Sequence, residues 1–235
     1  LQEDVRIALR VLSDVGGPGN STVIGSGRKT DAVTASLANA LMVRVMDYND
    51  IYWQQDPSHP SDIIPAALAC GERMGLGGRE LITGIVLGHE FEMRLCAAAV
   101  PGIRERGWHH ATLTAFVSPI VAGHALGLSW QQIQHAIGIS VSRHATLGAV
   151  TAGKLTMMKN TVDPMATQSG VLAALLAAPT SAGRSSCPGR SRRATTRGSS
   201  SSSRAVRGRP ARSPRTSAIG GGTMVIRRRT VVGRD

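Results

Sequence analysis

Apolar residues recur at helical spacing along most of the first 178 positions, and Gly/Pro clusters punctuate them. Residues 1–15 read as the end of a helix with Val5, Leu9 and Leu12 on one face, and Gly16-Gly-Pro-Gly19 breaks it. Ser21 to Ile24 predicts a short strand. Asp31 can cap the next helix, whose Val33, Leu37, Leu41 and Val45 predict one buried stripe that runs out at Asp47–Asp50. Ser58 to Pro60 predicts a turn, followed by a helix over 61–74 with Pro65 tolerable near its first turn. Further helices are predicted over 79–100, over 113–126 with a bend at Pro119, and over 164–178. Ser129-Trp-Gln-Gln132 has the form of a capping box, opening a helix that runs to about His144. No sustained strand alternation and no repeat appear, so the fold class predicted for 1–178 is mainly α.

The pattern stops at residue 179. From there to Asp235 the chain carries fourteen Arg, no Lys and one acid, a balance of +13, which leaves residues 1–178 at −1 against the chain's +12. The basic character therefore belongs wholly to the tail, and a nucleic-acid partner is expected only if the tail is genuine. Few aromatics interleave its arginines, which argues against base stacking. Ser, Arg, Gly, Pro and Thr dominate over 179–235, so disorder is predicted there. Arginine without lysine is also what GC-rich coding DNA yields in the wrong frame. A frameshift near codon 179 is the corresponding hypothesis, and it falls if neither alternative frame encodes a globular pattern.

Cys70, Cys96 and Cys187 lack metal-ligand spacing. The first two fall in apolar helical patterns, so buried free thiols in a reducing, cytoplasmic setting are expected. The start of the chain lacks a basic and an apolar leader region, and no window reads as a membrane span. Gly25-Ser-Gly-Arg-Lys-Thr30 superficially suggests a phosphate loop but lacks glycine at the required offsets, and nucleotide binding is rejected.

The candidate chemistry begins at Asp47-Tyr-Asn-Asp50 and His59-Pro-Ser-Asp62. These place carboxylates and an imidazole at the end of one helix, in a loop and at the start of the next, where they can move protons within one cleft. Asp47 and Asp50 share a face if the helix continues that far, and paired carboxylates raise each other's pKa. In Gly107-Trp-His-His110, His109 and His110 stand at a helix start, where partial positive charge favours the neutral ring. Lys154 and Lys159 flank Leu155-Thr-Met-Met158 and read as carboxylate anchors or as snorkelling surface lysines. His89, His124, His135 and His144 read as core or surface residues, and no spacing argues for a metal.

These elements, with Gly16-Gly-Pro-Gly19, Gly78-Arg-Glu-Leu81, Ala125-Leu-Gly-Leu128, Ala136-Ile-Gly-Ile139 and Ser169-Gly-Val-Leu-Ala-Ala-Leu-Leu176, resemble the MmgE/PrpD family in order and spacing. The resemblance covers about 1–178. It implies an all-helical large domain, a smaller α/β lid domain that is missing here, a homodimer, and no metal or other cofactor. It further implies lyase chemistry on a small polycarboxylate, with the Asp-Tyr-Asn-Asp and His-Pro-Ser-Asp forms closer to the 2-methylcitrate dehydratases of propionate metabolism than to the cis-aconitate decarboxylases. By the same resemblance, Asp47, His59, His109 and Lys159 are the expected catalytic residues, and Lys159, Asp50 and His110 the expected substrate-binding ones. Asp47 is expected to orient or charge an imidazole, and the acid and base roles of the two histidines stay open. Where the decarboxylase-like motif has Thr four residues after its first Asp, this chain has Ile51, which cannot donate a hydrogen bond. Decarboxylation or isomerisation on the same scaffold is the rival chemistry, impaired activity is expected of a chain without its lid, and a non-enzymatic helical protein with a nucleic-acid-binding tail is the rival class.

Overall fold

A computed structural model describes residues 3–154 and 156–179. The expectations for the basic tail and for Cys187 lie outside those residues. The described chain is mainly α, as the pattern predicts. Its helices are α1 (Glu3–Val15), α2 (Ala32–Arg44), α3 (Ile64–Met74), α4 (Gly78–Ala98), α5 (Ala111–Ala125), α6 (Trp130–His144) and α7 (Met158–Ala177). Between α1 and α2, β1 (Ser21–Val23) and β2 (Arg28–Thr30) form an antiparallel hairpin, with Ser21 opposite Thr30. The glycine-containing segment that mimics a phosphate loop is the turn and second strand of this hairpin, and Gly25 and Gly27 supply its positive φ. A second, two-residue pair joins β3 (Tyr52–Trp53) to β4 (Pro57–Ser58), and a 3₁₀ turn (Pro60–Ile63) leads into α3.

The ends of the helices follow their chemistry. Asp31 caps α2 by accepting from the Thr34 N–H at 2.9 Å, and its other oxygen accepts from the Gly17 N–H at 3.0 Å, tying the helix start to the Gly/Pro break. Ser129 and Gln132 form the predicted capping box on α6. In α2 the most deeply buried face differs from the predicted stripe. Ala35, Ala38, Ala40 and Leu41 are buried, while Val33, Leu37 and Val45 are only half-buried. Small residues face the centre because α7 crosses there, and only short side chains let two helices approach so closely.

The same principle organises the core. Alanines of α2, α3, α5, α6 and α7 form its largest cluster, and Ile63, Val117 and Val121 form a second. Gly170 lets α7 close on the bend of α5: a Cβ there would stand 2.7 Å from the Pro119 nitrogen. Gly88 does the same for α4 against Val121 and Ile63. Cys70 and Cys96 are buried free thiols, as expected. Helix α7 starts earlier than the expected Pro164, at Met158, and carries Pro164 inside it. Its first two turns bring Lys159 and Asp163 to the ends of α2 and α5. Among the described residues no helix is long and apolar enough to cross a membrane.

Candidate active site

The end of α2, the β3–β4 pair, the start of α5 and the first turn of α7 enclose a cavity of about 320 Å³. Asp47, His59, His109, His110 and Lys159 all line it, so the structure brings five of the six expected residues together. Asp50 is the exception. Its carboxylate is buried, accepts from the Ser61 N–H at 3.0 Å and lies 3.6 Å from His89 Nε2, outside the lining. It is a bracing residue, because the loop that follows it folds back over its side chain. Asp47 and Asp50 do not share a helix face either. Helix α2 stops at Arg44, and Asp47 adopts a φ of +49°, a left-handed turn that Asp tolerates better than most residues.

That turn sets Asp47 beside two cations. Its Oδ2 lies 3.4 Å from Lys159 Nζ and its Oδ1 lies 3.8 Å from Arg44. Asp47 thus pairs with Lys159, and His59 is also among the charges that act on it. Burial works to raise the Asp47 pKa, but Lys159 and Arg44 outweigh it and hold the group below the usual carboxylate range. Asp50 is likewise lowered: burial raises it, and His89 and Ser61 overcome that. The expected mutual raising of the two pKa values does not occur, because each carboxylate has its own donors.

The two cavity histidines differ in which nitrogen carries the proton. His59 Nδ1 is 2.6 Å from the Asp50 carbonyl oxygen. A carbonyl only accepts, so Nδ1 bears the hydrogen and Nε2 presents a lone pair. His109 Nδ1 accepts from the Ala111 N–H at 3.2 Å, so its proton sits on Nε2, which is buried and has no partner. One ring offers the cavity a base and the other a donor. Both stay neutral. Burial first, then Arg44 and His110, depress His59 to about 4. Burial and then His110 depress His109 to about 3. A neutral ring at His109 matches the expectation for a helix start, but the causes are desolvation and the neighbouring His110. His110 lies between the other two, with ring centroids 3.9 Å from His109 and 4.9 Å from His59.

Beneath the cavity lies a layer of buried charge that sequence reasoning missed. Arg44, only 3% exposed, ends α2 with its guanidinium 3.2 Å from Asp163, 3.8 Å from Asp47 and 3.9 Å from Asp62. Burial works against its charge, but Asp62, Asp163 and Asp47 keep it firmly protonated. Asp163, although fully buried, is held well below the usual range by His110 and Arg44. Asp62 goes the other way: burial drives its carboxyl up against the pull of Arg44, with Asp163 and Glu92 adding to the rise. Glu92, on α4, is pushed up to about 7 by burial, while its Oε1 accepts from the Ser58 hydroxyl at 2.5 Å. A signal for one of these groups existed in the sequence. Arg44 stands in the apolar run 41–46, where a charge that cannot reach water needs a partner, whereas Glu92 and Asp163 stand near other polar residues and carry no such mark. His89, expected as a core or surface residue, is half-buried. It donates through Nδ1 to the Ile85 carbonyl at 3.0 Å, and its pairing with Asp50 raises its pKa.

Donor atoms of His109, His110 and Asp163 come within 4.8 Å of one another, which raises the question of a cation. The set fits one poorly. Asp163 already faces Arg44 at 3.2 Å, a fixed positive charge beside any ion.

The MmgE/PrpD N-terminal domain matches residues 1–188. The chain belongs to this family. Among curated relatives, it is 27% identical over 182 residues to a cis-aconitate decarboxylase-like protein, oryM, of Aspergillus oryzae, covering 72% of this chain and 37% of that one. It is 26% identical over 133 residues to a 2-methylcitrate dehydratase of Escherichia coli O157:H7, covering 52% of this chain and 27% of that one. A mitochondrial 2-methylcitrate dehydratase of Yarrowia lipolytica is 27% identical over 131 residues, covering 51% of this chain and 25% of that one. The chain thus spans well under half the length of these relatives. These relatives are named as 2-methylcitrate dehydratases or as a cis-aconitate decarboxylase-like protein.

Proposed function

We propose that this cavity serves the elimination of water from a small hydroxy-polycarboxylate, in the manner of a 2-methylcitrate dehydratase. The observation that carries the reading is the opposed pair of tautomers at His59 and His109. β-Elimination needs a base for the proton on the carbon next to a carboxylate, and an acid for the departing hydroxyl. His59 Nε2 takes the C–H proton. His109 Nε2–H gives its proton to the hydroxyl, which leaves as water. Lys159, aimed by Asp47 at 3.4 Å, pairs with the carboxylate next to the carbanion and stabilises the charge that spreads onto it. Asp50 acts through its backbone carbonyl, which keeps the His59 proton on Nδ1.

Decarboxylation on the same scaffold is the second reading, favoured by the identity to the cis-aconitate decarboxylase-like relative. It needs a proton donor at carbon but no acid for a leaving hydroxyl. The product separates the two. Incubating the chain with 2-methylcitrate and with cis-aconitate, and following both by proton NMR, is expected to yield an unsaturated tricarboxylate from the first and no carbon dioxide from the second. Loss of carbon dioxide from cis-aconitate, with 2-methylcitrate untouched, reverses the assignment. No turnover of either removes the lyase reading for this chain.

A further inference from the structure

Three cations line the cavity: Arg44, Lys159 and Arg104. Two of them are already committed. Arg44 is enclosed by Asp62, Asp163 and Asp47 in the buried layer, and Lys159 faces Asp47 at 3.4 Å. Arg104 is different. Its side chain is 49% exposed, and its one described ion pair is a long approach of Nε to Asp56 Oδ1 at 4.0 Å. That approach runs along the inner edge of the guanidinium. Among the described residues its two terminal nitrogens have no protein partner, and they form the fork that binds a carboxylate through two parallel hydrogen bonds.

The backbone under Arg104 is pinned, so the free fork sits on a fixed base. The Arg104 N–H donates to Asp56 Oδ2 at 3.2 Å, and Asp56 is itself held through its carbonyl by Cys96 Sγ at 3.0 Å. Gly102 presses against the same carboxylate so closely that any Cβ would collide with it. The Trp108 N–H closes the turn on the Ile103 carbonyl at 3.0 Å. The charge of Arg104 also reaches the reacting groups, since it contributes to keeping His109 neutral. Arg106, from the same turn, makes a useful contrast. It spends its guanidinium on the Val100 carbonyl at 3.1 Å and does not line the cavity.

We infer that Arg104 is a specificity-determining residue that binds a second substrate carboxylate at the mouth of the cavity, apart from the one held by Lys159, so that the site selects polycarboxylates over monocarboxylates. The inference rests on the polycarboxylate reading above and adds the residue that counts the charges. A substrate with a single carboxylate satisfies Lys159 and leaves the Arg104 fork empty.

Tricarballylate is the probe. It has the carboxylates of the proposed substrates but no hydroxyl to lose, so binding is read without turnover. Isothermal titration of the whole chain is made with wild type, R104Q, R104K, R106Q and K159Q, with thermal melting of each variant alongside. The inference predicts that R104Q weakens tricarballylate binding by about tenfold or more, the range of a charge-assisted hydrogen-bonded contact. R104K recovers part of the loss, because it restores the charge without the fork. R106Q, which removes the same charge from the same turn, binds like wild type. If K159Q loses binding while R104Q does not, the polycarboxylate reading stands and the inference falls. If R106Q loses as much as R104Q, general surface charge explains the effect and the inference falls. If the wild type binds no tricarballylate, the polycarboxylate reading itself fails, and the inference with it.

Discussion

Replacing Arg44 with methionine destabilises the domain by about 3–5 kcal/mol, the cost typical of removing one partner from a buried ion pair. Methionine matches much of the arginine stem, so little volume is lost, and the effect comes from charge. Asp163 and Asp62 are fully buried beside Arg44, and Asp47 adds a third carboxylate. Without the guanidinium, the Asp163 carboxylate is left facing His110 Nε2, 3.4 Å away. Such a loss is a large fraction of the ~5–15 kcal/mol that holds a typical domain together. Urea unfolding at neutral pH checks it. The sign of the pH dependence follows from the same contacts. Arg44 and His110 hold Asp163 low; removing Arg44 raises it, so the variant regains stability as the pH falls and Asp163 protonates. The double variant R44M/D163N should be more stable than R44M alone. A midpoint for R44M within about 1 kcal/mol of wild type, the scale of an ordinary surface substitution, contradicts the buried-charge account.

Replacing His59 with glutamine lowers kcat for the proposed elimination by about 10²–10⁴, the usual value of a positioned general base. Glutamine keeps a hydrogen-bonding side chain of similar length but offers no basic nitrogen. Lys159 and Arg104 still hold the carboxylates, so KM changes little while kcat falls. Steady-state kinetics on both proteins separates the two parameters, and an unchanged kcat removes His59 as the base. The pH profile adds a second check. Burial keeps His59 neutral down to about 4, so its lone pair persists well below the 6.5 of a free imidazole. The acid limb of kcat/KM that belongs to His59 is therefore expected near 4.

Much of this was legible in the sequence, and the reason is local. The Asp31 cap and the Ser129–Gln132 box depend on neighbours a few positions away, and both stand in the structure as predicted. That the Asp47 and His59 segments could face one cleft was legible in their order, and both residues line the cavity, while His109 and Lys159 were expected from the family resemblance alone. What was not legible depends on distant partners or on backbone angles. Lys159 meets Asp47 across 112 positions, and no periodicity encodes that meeting. The left-handed turn at Asp47 breaks the helix face that would have paired it with Asp50. Glu92 and Asp163 stand among other polar residues of their helices, so nothing local marks them as buried, and the partners of Arg44 lie on distant segments. The start of α7 was placed six residues late, since Pro164 reads as a helix opener and stands inside the helix. Histidine tautomers follow from one carbonyl and one N–H, contacts that only the folded loop creates.

The central claim is that His59 and His109 enter the cavity as neutral rings in opposite tautomers. Imidazole nitrogen NMR on labelled chain, assigned with the two single His→Gln variants, tests it without substrate. At neutral pH the account predicts a protonated Nδ1 and bare Nε2 at His59, and a bare Nδ1 and protonated Nε2 at His109, with protonation setting in only towards about 4 and about 3. The same tautomer at both rings, or an imidazolium at either at neutral pH, contradicts it.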